Sequence, residues 1–168
     1  MNTISSPTSF NFNQLQSDQI VVVNDTVMGG DSLSQYHINE STVSFNGNVS
    51  LKNNGGFASL RMIWPFEESL GFNKILLNLI GDGKTYQFRL RTDRAFDGAT
   101  YVYEFQTKKD KLITVEMDVK QFIPSFRGRK LKNMPMLELK EVQQMGFLIA
   151  NKQVGEFSLQ LLSMKLEH

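Results

Sequence analysis

The stretch Lys74–Arg91, KILLNLIGDGKTYQFRLR, decides the fold. Lys74 to Ile80 is a nearly continuous apolar run, the pattern of a strand covered on both faces. Gly81-Asp82-Gly83 then supplies a tight hairpin turn that tolerates positive φ. From Tyr86 the chain alternates, with Tyr86, Phe88 and Leu90 on one face and Gln87, Arg89 and Arg91 on the other. Two strands of these two patterns, joined by a turn of this length, predict an antiparallel hairpin.

Working outward, the same signals recur. Tyr101, Tyr103 and Phe105 repeat the alternation after a Thr92–Thr100 loop, and Leu112 to Met117 repeats it again. Upstream, Ile20 to Val23, Ser32 to Ile38, Ser41 to Asn46, Val49 to Lys52 and Phe57 to Trp64 read as strands. Gly47-Asn48 is expected to turn the chain, and Pro65 to end the last of these strands. Downstream, Asp118 to Ile123 is expected to form a short helix capped by Asp118 and closed by Pro124. Ser125 to Leu139 reads as irregular, and Val142 to Ala150 and Glu156 to Leu166 as the final strands. No segment holds a helical period for 12 residues, so about ten short alternating strands predict an all-β antiparallel β-sandwich. The domain is expected over 20–165, after a polar segment 1–19. Leu166-Glu167-His168 resembles the start of an expression tag, which leaves His37 as the one native histidine.

Composition removes several chemistries. The chain has 168 residues, no cysteine, two histidines, and 18 Lys+Arg against 17 Asp+Glu. Zero cysteine excludes disulfides, thiolate metal sites and a cysteine nucleophile. Balanced charge argues against a nucleic-acid binder driven by counterion release. No stretch approaches the roughly 20 apolar residues of a membrane span. The first 19 residues lack the cations and apolar run of a targeting segment. These features predict a cytoplasmic, single-domain protein with no cofactor and few groups for catalysis.

Several motifs in order resemble one family. They are Asn24-Asp25-Thr26-Val27-Met28-Gly29-Gly30, Asn53-Asn54-Gly55-Gly56-Phe57-Ala58-Ser59-Leu60-Arg61 and Gly81-Asp82-Gly83-Lys84-Thr85-Tyr86. Phe122, Pro124 and Phe126-Arg127-Gly128-Arg129 follow, then Met145 to Gln153 with Gly155, Phe157 and Leu159. This arrangement resembles the complex I intermediate-associated protein 30 family from about Val23 to Leu162. The resemblance implies a galactose-binding-like jelly roll. It also implies a chaperone-like assembly factor that binds protein partners, respiratory-complex subunits among them, without catalysis.

Candidate sites follow from the residues themselves. Arg89 and Arg91 leave one strand side by side and, with Arg61, would clamp a carboxylate or an acidic partner segment. The plain alternative is a solvated face with Glu104 as their counter-ion. Phe126, Arg127 and Arg129 would form a docking patch, or else Phe126 plugs the sandwich and the cations stay solvated. Asn24, Asp25 and Asp31 would supply calcium oxygens, although capping by Asp25 or Thr26 explains them better. Tyr36, Trp64, Tyr86, Tyr101 and Tyr103 are the available sugar platforms, yet their phase places them with the core. A carbohydrate or small-ligand module is therefore the alternative function. A hydrolase using Asp25, Asp82 and Glu104 comes third.

Overall fold

A computed structural model describes residues 8–24, 33–51, 56–92, 99–126, 129–132, 134–150 and 153–168. Two antiparallel sheets pack face to face, as expected of the jelly-roll sandwich. One sheet runs β3 (Leu33–Ile38), β4 (Val43–Val49), β13 (Gly155–Glu167), β6 (Lys74–Ile80) and β9 (Leu112–Asp118). A further strand, β1 (Ser9–Asn11), also pairs with β13. The other sheet has seven strands. Their order is β11 (Arg129–Lys130), β10 (Ile123–Phe126), β8 (Thr100–Gln106), β7 (Thr85–Arg91), β12 (Gln144–Ile149), β5 (Ala58–Ile63) and β2 (Ile20–Asn24).

The period-2 patterns do what their chemistry requires. Ile75, Leu77 and Leu79 of β6 face Tyr86, Phe88 and Leu90 of β7 across the sandwich, and all six are buried. Phe147 stands 5.1 Å from Phe88 and 6.0 Å from Phe12, edge-on or tilted as aromatic quadrupoles prefer. The long β13 keeps its apolar side inward only because of an irregularity. Its register shifts between Leu161 and Ser163, so the inward set passes from Phe157, Leu159 and Leu161 to Met164 and Leu166.

The hairpin expected at Gly81-Asp82-Gly83 does not form, because β6 and β7 pair with other strands in different sheets; the turn crosses the sandwich instead and is tied down on all sides. Gly83 has φ +91°, which favours glycine. Asp82 Oδ1 accepts from Lys84 N at 3.1 Å and from the Tyr86 hydroxyl at 3.0 Å. Its Oδ2 accepts from Ser158 N at 2.9 Å, which links one sheet to the other. Gln153 clamps the next residue, accepting from Thr85 N at 2.9 Å and donating to Thr85 O at 2.7 Å. Two of the motif segments thus have structural work.

Other local expectations change too. Gly47 makes no turn, for β4 runs straight through it. A Cβ there would lie 2.1 Å from the Leu33 carbonyl oxygen, so the glycine admits the close approach of β3. The helix expected at Asp118–Ile123 is a single 3-10 turn, Val119–Gln121. Asp118 caps it as anticipated, accepting from Lys120 N at 2.9 Å. Pro124 lies within β10 rather than after a helix, and β10 and β11 occupy part of the stretch read as irregular. The polar leader also joins the sandwich at its end: β1 pairs with Ser163–Lys165, and Phe12 and Leu15 are buried. At the other terminus Leu166 is buried and His168 stacks on Phe72 at 4.5 Å.

Candidate functional site

Strand register brings the three arginines together. Residues directly opposite in an antiparallel pair share a face, and in one row Val21 stands opposite Arg61, Arg61 opposite Gly146, and Gly146 opposite Arg89. The row continues through Val102 to Ile123. Arg61 and Arg89 therefore flank a residue with no side chain, two strands or roughly 10 Å apart. The next row runs Ile63, Gln144, Arg91, Thr100, Ser125 and Lys130. Arg91 lies two residues along β7 from Arg89, about 7 Å at strand rise.

This face is recessed. It points away from the core, yet Ser59, Thr100, Ser125 and Leu148 are buried on it, and so is Gly146. A Cβ at position 146 would come within 2.7 Å of the Leu60 carbonyl oxygen. Glycine thus holds β12 close to β5 and leaves the floor between the two arginines bare.

Electrostatics mark the same three residues. Burial, and then the charge of Arg91, lower the Arg61 pKa from the ordinary 12.5 to about 10. Burial, then the charges of Arg91 and Arg61, lower Arg89 to about 10 as well. Arg61 and Arg89 stay protonated at neutral pH, so their charges are held close to that of Arg91 on a partly desolvated surface. Arg89 Nε is buried with no hydrogen-bond partner among the described residues. A buried donor of a charged group left unmatched is costly, and an acceptor brought by a ligand relieves it. Glu104 stands opposite Gln87 in the register, while Val102 faces Arg89.

The second expected patch divides. Phe126 is half-buried, in the inward phase of β10, opposite the exposed Arg129 of β11. Arg127 lies outside the described residues. Lys130, the third cation of that stretch, shares a row with Arg91 through Ser125 and Thr100. Gly146 was missed, although a glycine interrupting the apolar run Met145–Ile149 is a signal of close approach. Asp25 and Asp31, and the side chain of Asn24, lie outside the described residues too. Among the described residues no three His, Asp or Glu side chains gather as a metal ligand set. No helix there is long and apolar enough to cross a membrane.

All four tyrosines and the tryptophan pack with the core or against it. Tyr86, Tyr101 and Trp64 are buried, and Tyr36 and Tyr103 lean on the same cluster. Tyr101 donates to Pro135 O at 2.7 Å, and Trp64 Nε1 donates to Ser69 Oγ at 3.2 Å. His37 is exposed on β3, as its alternation predicts.

A separate depression of about 810 Å³ opens where the Asp82 turn meets β3, β4 and β13, lined by Gln35, Asn46, Asn48 and Ser158 among others. Two of its charged members are engaged: both Asp82 oxygens accept hydrogen bonds, and Lys84 Nζ donates to the Glu156 carbonyl oxygen, while Lys109 and Glu156 also line it. Asn46 Oδ1 is buried without a partner among the described residues.

The chain is similar in fold to carbohydrate-binding modules. A family 11 module from Clostridium thermocellum, solved with a β-1,3-1,4-mixed-linked tetrasaccharide, matches with TM-score 0.65 at 15% identity. That match covers 98% of this chain and 100% of the module. The family 11 module of the Clostridium thermocellum cellulosomal cellulase Lic26A-Cel5E gives TM-score 0.67 at 14% identity, covering 98% and 99%. The agarase AgWH50C matches over 96% of this chain and 25% of its own, with TM-score 0.62 at 8% identity. At such identities the likeness is one of fold. No curated protein shows a significant sequence match. The family model for complex I intermediate-associated protein 30 matches residues 10–161, nearly the whole sandwich, and the chain belongs to that family.

Proposed function

We propose that the chain is a non-enzymatic binding protein that acts in assembly of a respiratory complex, holding a protein partner on the arginine face of its seven-stranded sheet. The observation that carries this reading is the convergence of Arg61, Arg89 and Arg91 around Gly146, with Arg89 Nε unmatched. Guanidinium forks recognise carboxylates bidentately, and in a recessed setting such contacts are stronger than in open water. Family membership supplies the assembly context. Cytoplasmic action belongs to the same proposal.

Native gels of cell extract test it. The chain is expected to migrate with complex I subassemblies, and the variant Arg61→Gln/Arg89→Gln/Arg91→Gln is expected to migrate free. Equal co-migration of both proteins would remove the arginine face from the function.

A second reading, a carbohydrate or other neutral small ligand, is favoured by the depression beside Asn46. Its amide and hydroxyl lining and the unmatched Asn46 Oδ1 suit a hydroxyl donor. Titration with neutral oligosaccharides, lost on Asn46→Ala, would establish it.

A further inference from the structure

The cationic centre does not stand alone on its face. The row that holds Arg61 and Arg89 begins at Val21, 53% exposed, and ends at Val102 and Ile123, the latter 44% exposed. Ile63, 42% exposed, opens the adjacent row that holds Arg91. Apolar side chains left in water on both sides of a recessed charged floor form the reverse of an ordinary solvated sheet face. They match the anatomy of a docking surface, where arginine and apolar anchors are used together.

From this juxtaposition we infer that the face takes an extended acidic segment of a protein partner, with two or three carboxylates over Arg61, Arg89 and Arg91 and an apolar side chain on each flank. The inference rests on the binding role proposed above and specifies its partner. Strand spacing sets the arrangement. Val21 and Val102 each lie two strands from Gly146, roughly 10 Å, which an extended chain covers in about three residues. Carboxylates clustered at the centre of the segment and apolar residues about three positions to either side therefore meet their counterparts. A free small anion would meet the positive charge but would leave Val21, Ile63 and Ile123 in water.

Fluorescence anisotropy with a labelled peptide Leu-Gly-Glu-Asp-Glu-Gly-Leu tests the inference. Binding is expected to weaken as salt rises, because the central contacts are charge pairs. The peptide with Gln-Asn-Gln at its centre should bind at least about tenfold more weakly, the loss of 1.4 kcal/mol or more. The peptide with both leucines replaced by serine should lose about threefold to tenfold, as should the protein variants Val21→Ser and Ile123→Ser. Leu112→Ser, an exposed position on the other sheet, should bind as the unaltered protein does. Equal affinity for the leucine and serine peptides, or inorganic phosphate displacing the peptide at a concentration similar to its own, would overturn the acidic–apolar partner. No peptide binding alongside arginine-dependent migration on native gels would also overturn it, while leaving the proposed binding role intact.

Discussion

At the residue scale, the cost of the site and its use meet in Arg89. Its guanidinium is partly buried, lies near two like charges, and has an Nε that no group among the described residues accepts from. A pKa lowered from 12.5 to about 10 means the folded chain binds that proton less tightly than the unfolded chain does. The charged arginine thus opposes folding at neutral pH, and the cost fades only above about pH 10. Arg89→Met keeps much of the side-chain volume and removes the charge. At pH 7 it is expected to raise the melting temperature by about 2–4 °C, the shift about 1 kcal/mol produces in a chain of this size. It should also abolish migration with subassemblies. A lower melting temperature in calorimetry would mean that Arg89 supports the fold instead.

At the element scale, the Gly81–Lys84 turn joins the sheets through one carboxylate. Asp82 accepts from its own turn, from Tyr86 and from Ser158 on β13. Asp82→Ala removes these acceptors together and is expected to cost about 1–3 kcal/mol in urea unfolding. Tyr86 adds a pH dependence. Burial first, then the charge and hydrogen bond of Asp82, raise its hydroxyl pKa above the ordinary 10. The folded state holds the proton that the unfolded chain releases, so this contribution is full below about pH 10 and is lost as pH rises beyond it. Tyr86→Phe should flatten that alkaline decline in Tm against pH.

Elements were legible wherever local alternation set them, as in β7, β8 and β13, or a continuous apolar run did, as in β6. Gly47 was misread because its reason, the approach of the Leu33 backbone, comes from another strand. Pro124 was misread for a similar reason, since pairing with Tyr101 and Arg129–Lys130 makes that short segment a strand. Arg89 and Arg91 could be placed on one face from alternation alone. Their meeting with Arg61 depends on β12 lying between β5 and β7, and no local pattern encodes that order.

At the scale of the whole molecule, the chain ends close the sandwich. Phe12 is fully buried and packs edge-on to Phe10 at 5.8 Å and Phe147 at 6.0 Å, while the Leu166 amide donates to Thr8 O at 2.7 Å. Phe12→Ala is therefore expected to cost about 3–5 kcal/mol, the range for a buried phenylalanine, read from the urea midpoint. The near-neutral net charge of +1 hides a division of surfaces. The outer face of the six-stranded sheet carries exposed pairs such as Lys74–Glu116 at 3.5 Å, which add little to stability. The seven-stranded sheet instead gathers three arginines in a recess bordered by exposed aliphatic residues.

Arginine footprinting of the chain, alone and in the subassembly fraction of a native extract, tests that arrangement most directly. After phenylglyoxal labelling and mass spectrometry, Arg61 and Arg91 are expected to be modified in the free chain and protected in the bound one. Arg129, exposed and on the opposite phase, should react equally in both. Unchanged labelling of Arg61 and Arg91, with Arg129 protected, would place the partner elsewhere and contradict the account.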